Sequence, residues 1–166
     1  MKFIDMKVKG VMFDPSTFVP IVMLKDDEGK KTLPLWVSIL EAASILMKLE
    51  GIESEQPSTH DILNGVITSL GSKVINVAIT ELKDSVFYSS IKLSTDSGEI
   101  IEIDARPSDA IALAIKCDLP VKVREGVIEK SRVIDVAADN VNFASKNDLM
   151  NILENLPIEE FGKYKM

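Results

Sequence analysis

Asp104-Ala105-Arg106-Pro107-Ser108-Asp109 is the densest cluster of chemically capable side chains in the chain. A hard divalent cation takes oxygen ligands, commonly one or two carboxylates plus phosphate and water, and Asp104 and Asp109 could supply that pair. The planar fork of Arg106 suits a phosphate. Pro107 fits the first position of a helix, whose free N–H groups and positive end would add to the pull on an anion. The structural alternative is as concrete. A first-turn carboxylate gains about 0.3–1 kcal/mol from the helix dipole, and Arg106 can simply pair with either aspartate.

His60 is the only histidine, so any imidazole chemistry runs through Pro57-Ser58-Thr59-His60-Asp61. It can act as a general base or a metal ligand with Asp61 beside it. It also stands at helical spacing from Leu63 and Ile67, where a histidine is commonly packed and hydrogen-bonded. Ser38-Ile39-Leu40-Glu41 fits a capping box, which gives Glu41 a structural role as well as an acidic one. Glu50 opposes the dipole at a helix end and is expected to have a partner, a basic side chain or a metal. Cys117 reads as a packed thiol, and Trp36 as a core or subunit contact. Gly-rich phosphate loops, Walker patterns, H-E-x-x-H and G-x-S-x-G are missing from the sequence, which argues against NTPases, zinc proteases and serine hydrolases.

The elements that must position these residues follow from periodicity and turn chemistry. Strands are predicted over 2–14, 18–25, 31–37, 73–82, 86–95, 99–104 and 120–124, separated by turns at Asp14-Pro15, Asp26-Gly29, Lys83-Ser85 and Asp96-Gly98. Helices are predicted from Ser38 to about Leu49, over 60–70, over 107–117 and over 145–155. The 60–70 helix carries an apolar stripe of Ile62, Leu63, Val66, Ile67 and Leu70. Residues 125–143 give no clear pattern, and 157–166 read as a frayed tail.

Two stretches, about 2–49 and 72–117, share the order strand, strand, hairpin, strand, helix. Gly29 matches Gly98, and Glu41 matches Asp109. The expectation is a single compact α+β domain over 1–130, with a mostly antiparallel sheet and an internally duplicated βββα unit. A C-terminal extension with one helix would occupy 131–166. The helices over 39–49 and 107–117 are apolar nearly all round, so either the sheet wraps them or a second subunit covers them. A homodimer or higher homo-oligomer is therefore expected.

Composition limits the partners. At 166 residues with 46% hydrophobic and 27% charged side chains, the chain has the make-up of a globular domain rather than a disordered one. One cysteine excludes an intrachain disulfide. The lack of a long apolar run or a signal-peptide layout leads us to expect a cytoplasmic protein with no membrane partner. The net charge of −7 and only three arginines disfavour tight, sequence-indifferent nucleic-acid binding. An acidic protein can still act on nucleic acid where a metal ion supplies local positive charge.

The segments Leu33-Pro34-Leu35-Trp36-Val37, Glu41-Ala42, Leu49-Glu50-Gly51, Thr59-His60-Asp61, Leu70-Gly71, Phe87-Tyr88 and Ile103 to Ala114 occur in that order. Together they resemble the bifunctional nuclease domain family over residues 1–130, and the 145–162 stretch resembles the tail of members that lack an added C-terminal module. The resemblance implies a domain with DNase and RNase activity, and carries over Glu41, Glu50, His60, Asp61, Asp104, Arg106 and Asp109 as motif positions. The chain departs from the family pattern at Gln56, where an arginine often precedes the proline, and at Asp84-Ser85-Val86. Loss of that arginine weakens the expected grip on nucleic acid.

The resulting expectation is a nuclease dependent on Mg²⁺ or Mn²⁺. Glu41, Asp104 and Asp109 would hold the ion, with His60 as general acid or base, Asp61 beside it, and Arg106 stabilising the transferring phosphoryl oxygens. The alternative is a non-enzymatic oligomeric or regulatory protein whose acidic motifs are caps and clasps. Convergence of these groups on one cleft separates the two.

Overall fold

Turn residues and strand alternation produce two three-stranded meanders joined through a short central strand. The computed structural model of the chain describes residues 2–52, 55–131 and 143–155. Its first half contains β1 (Phe3–Phe13), β2 (Pro20–Asp26), β3 (Thr32–Trp36), α1 (Ile39–Leu49) and α2 (Thr59–Ser69). Its second half contains β4 (Ser72–Lys83), β5 (Val86–Thr95), β6 (Ile100–Ala105), α3 (Pro107–Lys116), β7 (Val121–Arg124), α4 (Glu125–Ser131) and α5 (Lys146–Glu154). The sheet order is β3-β2-β1-β7-β4-β5-β6. Every neighbouring pair is antiparallel except β4 with β7. Read outward from β7, both halves show first, second and third strand of a meander, followed in sequence by a helix. This is the α+β architecture expected of a repeated βββα unit. Gly29 and Gly98 hold φ of +70° and +82° in the equivalent hairpins, a conformation in which a Cβ would be strained.

One core unites the helices with one face of the sheet. α1 contributes Ala42, Ala43, Ile45 and Leu46, and α3 contributes the run Ala110 to Ala114, which is at most 1% exposed. α3 lies against α1, α2, β4 and β5. The chain itself therefore wraps α3, and its apolar composition requires no second subunit. A smaller cluster of Met12, Ile21 and Met23 is separate from this core.

Two expectations change. The unclear 125–143 region begins with α4, which buries Val127, Ile128 and Ser131 and is tied to β3's side of the sheet by Lys31 Nζ on Glu125 Oε1 at 2.8 Å. Residues 132–142 and 156–166, including the tail expected over 157–166, lie outside the described residues. The second change concerns α2. Its period is the expected one, but only Ile67 of the stripe is buried. Ile62, Leu63, Val66 and Leu70 remain 55%, 41%, 50% and 76% exposed. Among the described residues no helix is long and apolar enough to cross a membrane.

The C-terminal helix is anchored to β1 just before it begins. Ala144 N–H donates to the Val11 carbonyl at 2.7 Å, and the Phe143 ring lies where a Cβ on Gly10 would project, with Cδ1 2.5 Å from that position. Gly10→Ala should therefore displace Phe143 and loosen this anchor. The expected result is faster amide exchange in α5 with little change in β4–β6, read by hydrogen–deuterium exchange.

Candidate active site

Three helix starts meet at one place, each for a local reason. Ser38 caps α1: its Oγ accepts the Glu41 N–H at 3.3 Å while Glu41 Oε2 accepts the Ser38 N–H at 2.8 Å. Ser58 and Asp61 repeat the same box at α2, with Asp61 Oδ2 accepting the Ser58 N–H at 2.9 Å and its hydroxyl at 2.6 Å. Pro107 opens α3, with Arg106 at the N-cap position. Each box satisfies N–H groups that a helix start otherwise leaves unpaired.

Arg106 is the hub. Its Nε and Nη2 donate to Asp109 Oδ2 and Oδ1 at 2.7 and 3.1 Å, and Nη1 lies 3.3 Å from Glu41 Oε1. Glu41 Oε1 also accepts the Ser108 hydroxyl at 2.6 Å. Burial would raise the Glu41 pKa, but the Ser108 hydroxyl, the Ser38 N–H and hydroxyl, and the Arg106 charge outweigh it and hold the carboxyl below its ordinary range. Glu41 and Asp109 occupy equivalent places in the two βββα units, and here they grip one guanidinium from two sides. The Arg106 side chain is still 68% exposed.

His60 connects this cluster to α1. Its Nε2 lies 3.4 Å from Asp109 Oδ1, and its Nδ1 lies 3.4 Å from Ser44 Oγ. At 14% exposure its side chain is largely enclosed. Asp61, its neighbour in sequence, belongs to a second cluster. Asp61 Oδ1 meets Lys48 Nζ at 3.1 Å and Lys116 Nζ at 2.9 Å. The Ser58 hydroxyl, Lys116, the Ser58 N–H and Lys48 drive its pKa far below the ordinary carboxylate value against a smaller opposing effect of burial. Asp61 is therefore a fixed anion that clasps three helices, and is not poised to exchange protons near neutral pH. Ser44, Lys48, Gln56, Ser58, Asp61 and Lys116 line an open cleft of about 550 Å³ next to this clasp.

Asp104 is placed elsewhere. It pairs across the sheet with Ser90, and Glu102 with Lys92, whereas Ile101 and Ile103 pair with the core residues Leu93 and Ile91. Successive strand residues point to opposite faces. Asp104 thus faces away from the helices, while Asp109 faces into the cluster. The expected three-carboxylate cradle does not assemble, because Glu41 and Asp109 present their oxygens to Arg106, Ser38 and Ser108. Among the described residues no group of three or more His, Cys, Asp or Glu side chains is disposed to hold a metal ion. In this arrangement Glu41, Asp104 and Asp109 do not fit a protein-built Mg²⁺ or Mn²⁺ site.

Other expectations resolve plainly. Glu50 is exposed at the α1 C-cap and has no ion pair among the described residues. Cys117 is partly buried, donates to Asn64 Oδ1 at 3.5 Å, and has its pKa raised by burial. Trp36 sits on edge strand β3 and is 37% exposed. Sequence reasoning missed Ser44, Lys48, Ser108 and Lys116. Glu41, Ser44 and Lys48 stand at helical spacing as the polar stripe of an otherwise apolar α1, and that stripe was the available signal.

Residues 22–135 match the family model described as the bifunctional nuclease domain. The chain belongs to the bifunctional nuclease domain family. It is 29% identical over 130 residues to an uncharacterized protein of Mycobacterium tuberculosis, covering 78% of this chain and 77% of that one. It is 26% identical over 110 residues to bifunctional nuclease 1 of Arabidopsis thaliana, covering 64% of this chain and 34% of that protein. For bifunctional nuclease 2 of the same plant the values are 27% over 120 residues, 69% and 36%. The match therefore spans about a third of the plant proteins' length. The family match covers the whole three-helix cluster, from Glu41 through His60 to Arg106 and Asp109.

Proposed function

We propose that the protein is a cytoplasmic nuclease that hydrolyses phosphodiesters in DNA or RNA, and that it works as a homodimer or higher homo-oligomer. The observation that carries the catalytic reading is the convergence of Arg106, Asp109 and His60 at one point of a bifunctional nuclease domain. Arg106 presents an exposed, planar, permanently charged fork that a phosphate can engage. Asp109 orients that fork and, through Oδ1, the imidazole. His60 moves the proton that the attacking water loses or the leaving oxygen gains. Glu41 positions Arg106 from the other side. These carboxylates make no protein-built cation site, so the ion is assigned no step. A requirement for Mg²⁺ or Mn²⁺ would show as loss of cleavage in chelator.

A second reading has its own observation. Each carboxylate of the cluster is already engaged within the chain, as caps and clasps would be in a non-enzymatic interaction protein. Cleavage of single-stranded DNA, double-stranded DNA and RNA separates the two, using wild type, Asp109→Asn and Asp104→Asn purified identically. A nuclease centred on Arg106 and His60 predicts that Asp109→Asn loses activity by about tenfold or more, since the bidentate hold on Arg106 and the contact to the ring both weaken. Asp104→Asn should stay at wild-type activity. Equal cleavage by wild type and Asp109→Asn would mark a contaminant and favour the interaction protein.

A further inference from the structure

Helix α2 turns its most apolar side away from its own core. Ile62, Val66 and Leu70 form an i, i+4, i+8 ridge, with Leu63 beside it, all exposed. The adjacent row holds Gly65 and Ser69, so a ridge of branched side chains runs next to a groove of small ones. Gly65 is an exposed mid-helix glycine with nothing within 4 Å of its Cβ position. A helix interior gives up about 1 kcal/mol by carrying glycine instead of alanine, and nothing among the described residues calls for the small residue.

Strand β6 has exposed apolar side chains of its own, and its ends lie near the ends of α2. α2 begins beside Asp109, through His60, and ends where the Gly71 carbonyl accepts the Asp96 N–H at the β5–β6 hairpin. β6 begins at that hairpin and ends at Ala105, next to Arg106. The two elements therefore span the same stretch. β6 is an edge strand that leaves Ile101 and Ile103 40% and 45% exposed on the face shared with the core. The six side chains leave roughly 500 Å² of apolar surface uncovered, comparable with the largest patch on a typical monomer. That is more than half of the about 800 Å² each partner gives to a standard interface.

The character of the face selects the occupant. From Ile62 to Leu70 α2 has no charged residue, in a protein of net charge −7. A second acidic copy is repelled by most of the surface and accepted here. The six residues include no aromatic platform for bases and no lysine or arginine for a phosphate or an anionic lipid. A ridge beside a small-residue groove is also self-complementary, since the ridge of one copy fits the groove of the other under two-fold symmetry. We propose that the α2–β6 face is the surface through which two copies of this chain associate, with α2 crossing its symmetry mate at Gly65. This rests on the self-association part of the proposed function and supplies its interface.

Sedimentation equilibrium of the full chain across a wide concentration range tests the assignment without reading cleavage, so its outcome is separate from that of the nuclease reading. The wild type should show a mass of at least two copies. Val66→Asp places an unpaired carboxylate in the contact and should weaken association by about a hundredfold or more. Gly65→Leu guards against misfolding. Its side chain has open space in the free chain, so the melting temperature should hold while association falls. Tyr88→Ser, on the opposite sheet face, should leave the mass unchanged. A single-copy mass for the wild type at every concentration overturns the proposal. So does a wild-type mass in both Val66→Asp and Gly65→Leu.

Discussion

Replacing Arg106 by alanine should lower phosphodiester cleavage by about 10²–10³-fold, the loss seen when one preorganised electrostatic donor is removed from a transition state. The protein should stay folded. The guanidinium is 68% exposed, and Glu41 keeps its bonds to Ser38 and Ser108 without it. Exposed ion pairs of this kind contribute about 1 kcal/mol or less, so the melting temperature should fall by only a few degrees. Arg106→Lys discriminates further. It keeps the charge but cannot grip Asp109 through two parallel bonds while facing a phosphate, so it should recover only part of the lost activity. His60→Ala should fall in the same range, about 10²–10⁴-fold, if the imidazole transfers the proton. Steady-state cleavage rates on single-stranded DNA and RNA, with melting curves on the same preparations, check all three. Full activity in Arg106→Ala would remove the guanidinium from the mechanism and favour the reading in which the cluster is a clasp.

Much of this was legible in the chain because it depends on local rules. Ser38 and Glu41 announce their capping box by spacing, and Pro107 announces a helix start. The repeated βββα order put Glu41 and Asp109 in equivalent first turns, and their shared hold on Arg106 follows from that equivalence. The orientation of Asp104 was also in principle legible. It lies two residues from Glu102 and out of phase with Ile101 and Ile103, so strand alternation already turns it away from the apolar face. Proximity in sequence to Arg106 and Asp109 masked that alternation. Other features depend on packing between elements far apart in the chain. Lys116 meets Asp61 only because the end of α3 comes to the start of α2. No spacing rule anticipates that contact. The stripe on α2 shows the remaining gap. Its period correctly predicts an amphipathic helix, but periodicity reports that a face is apolar and says nothing about which molecule covers it.

The Asp61 clasp gives the largest expected change in stability. Asp61→Ala removes the N3 partner of the Ser58 box, worth about 1 kcal/mol. It also strands the Lys48 ammonium, whose side chain is 12% exposed and whose other hydrogen bond among the described residues is to the Ser58 hydroxyl. An enclosed donor that loses its acceptor costs about 1–3 kcal/mol. Together these predict a loss of about 2–4 kcal/mol, or a melting temperature lower by about 4–16 °C for a chain of this size. Asp61→Asn retains an oxygen for the Ser58 N–H and should lose less. The pH dependence fixes the cause. The folded Asp61 carboxyl titrates well below its ordinary value of 3.8, so its contribution is complete above that value and is lost as pH falls toward the folded pKa. The gap between wild type and Asp61→Ala should thus be flat from neutral pH down to about pH 5 and narrow below about pH 4. Denaturant melts at a series of pH values measure it. A gap that stays constant into acid would mean that Asp61 stabilises the helix start by packing rather than by charge. Because His60 is the next residue in the same turn, loosening this clasp should also lower cleavage, which connects the stability of the α2 start to the placement of the imidazole.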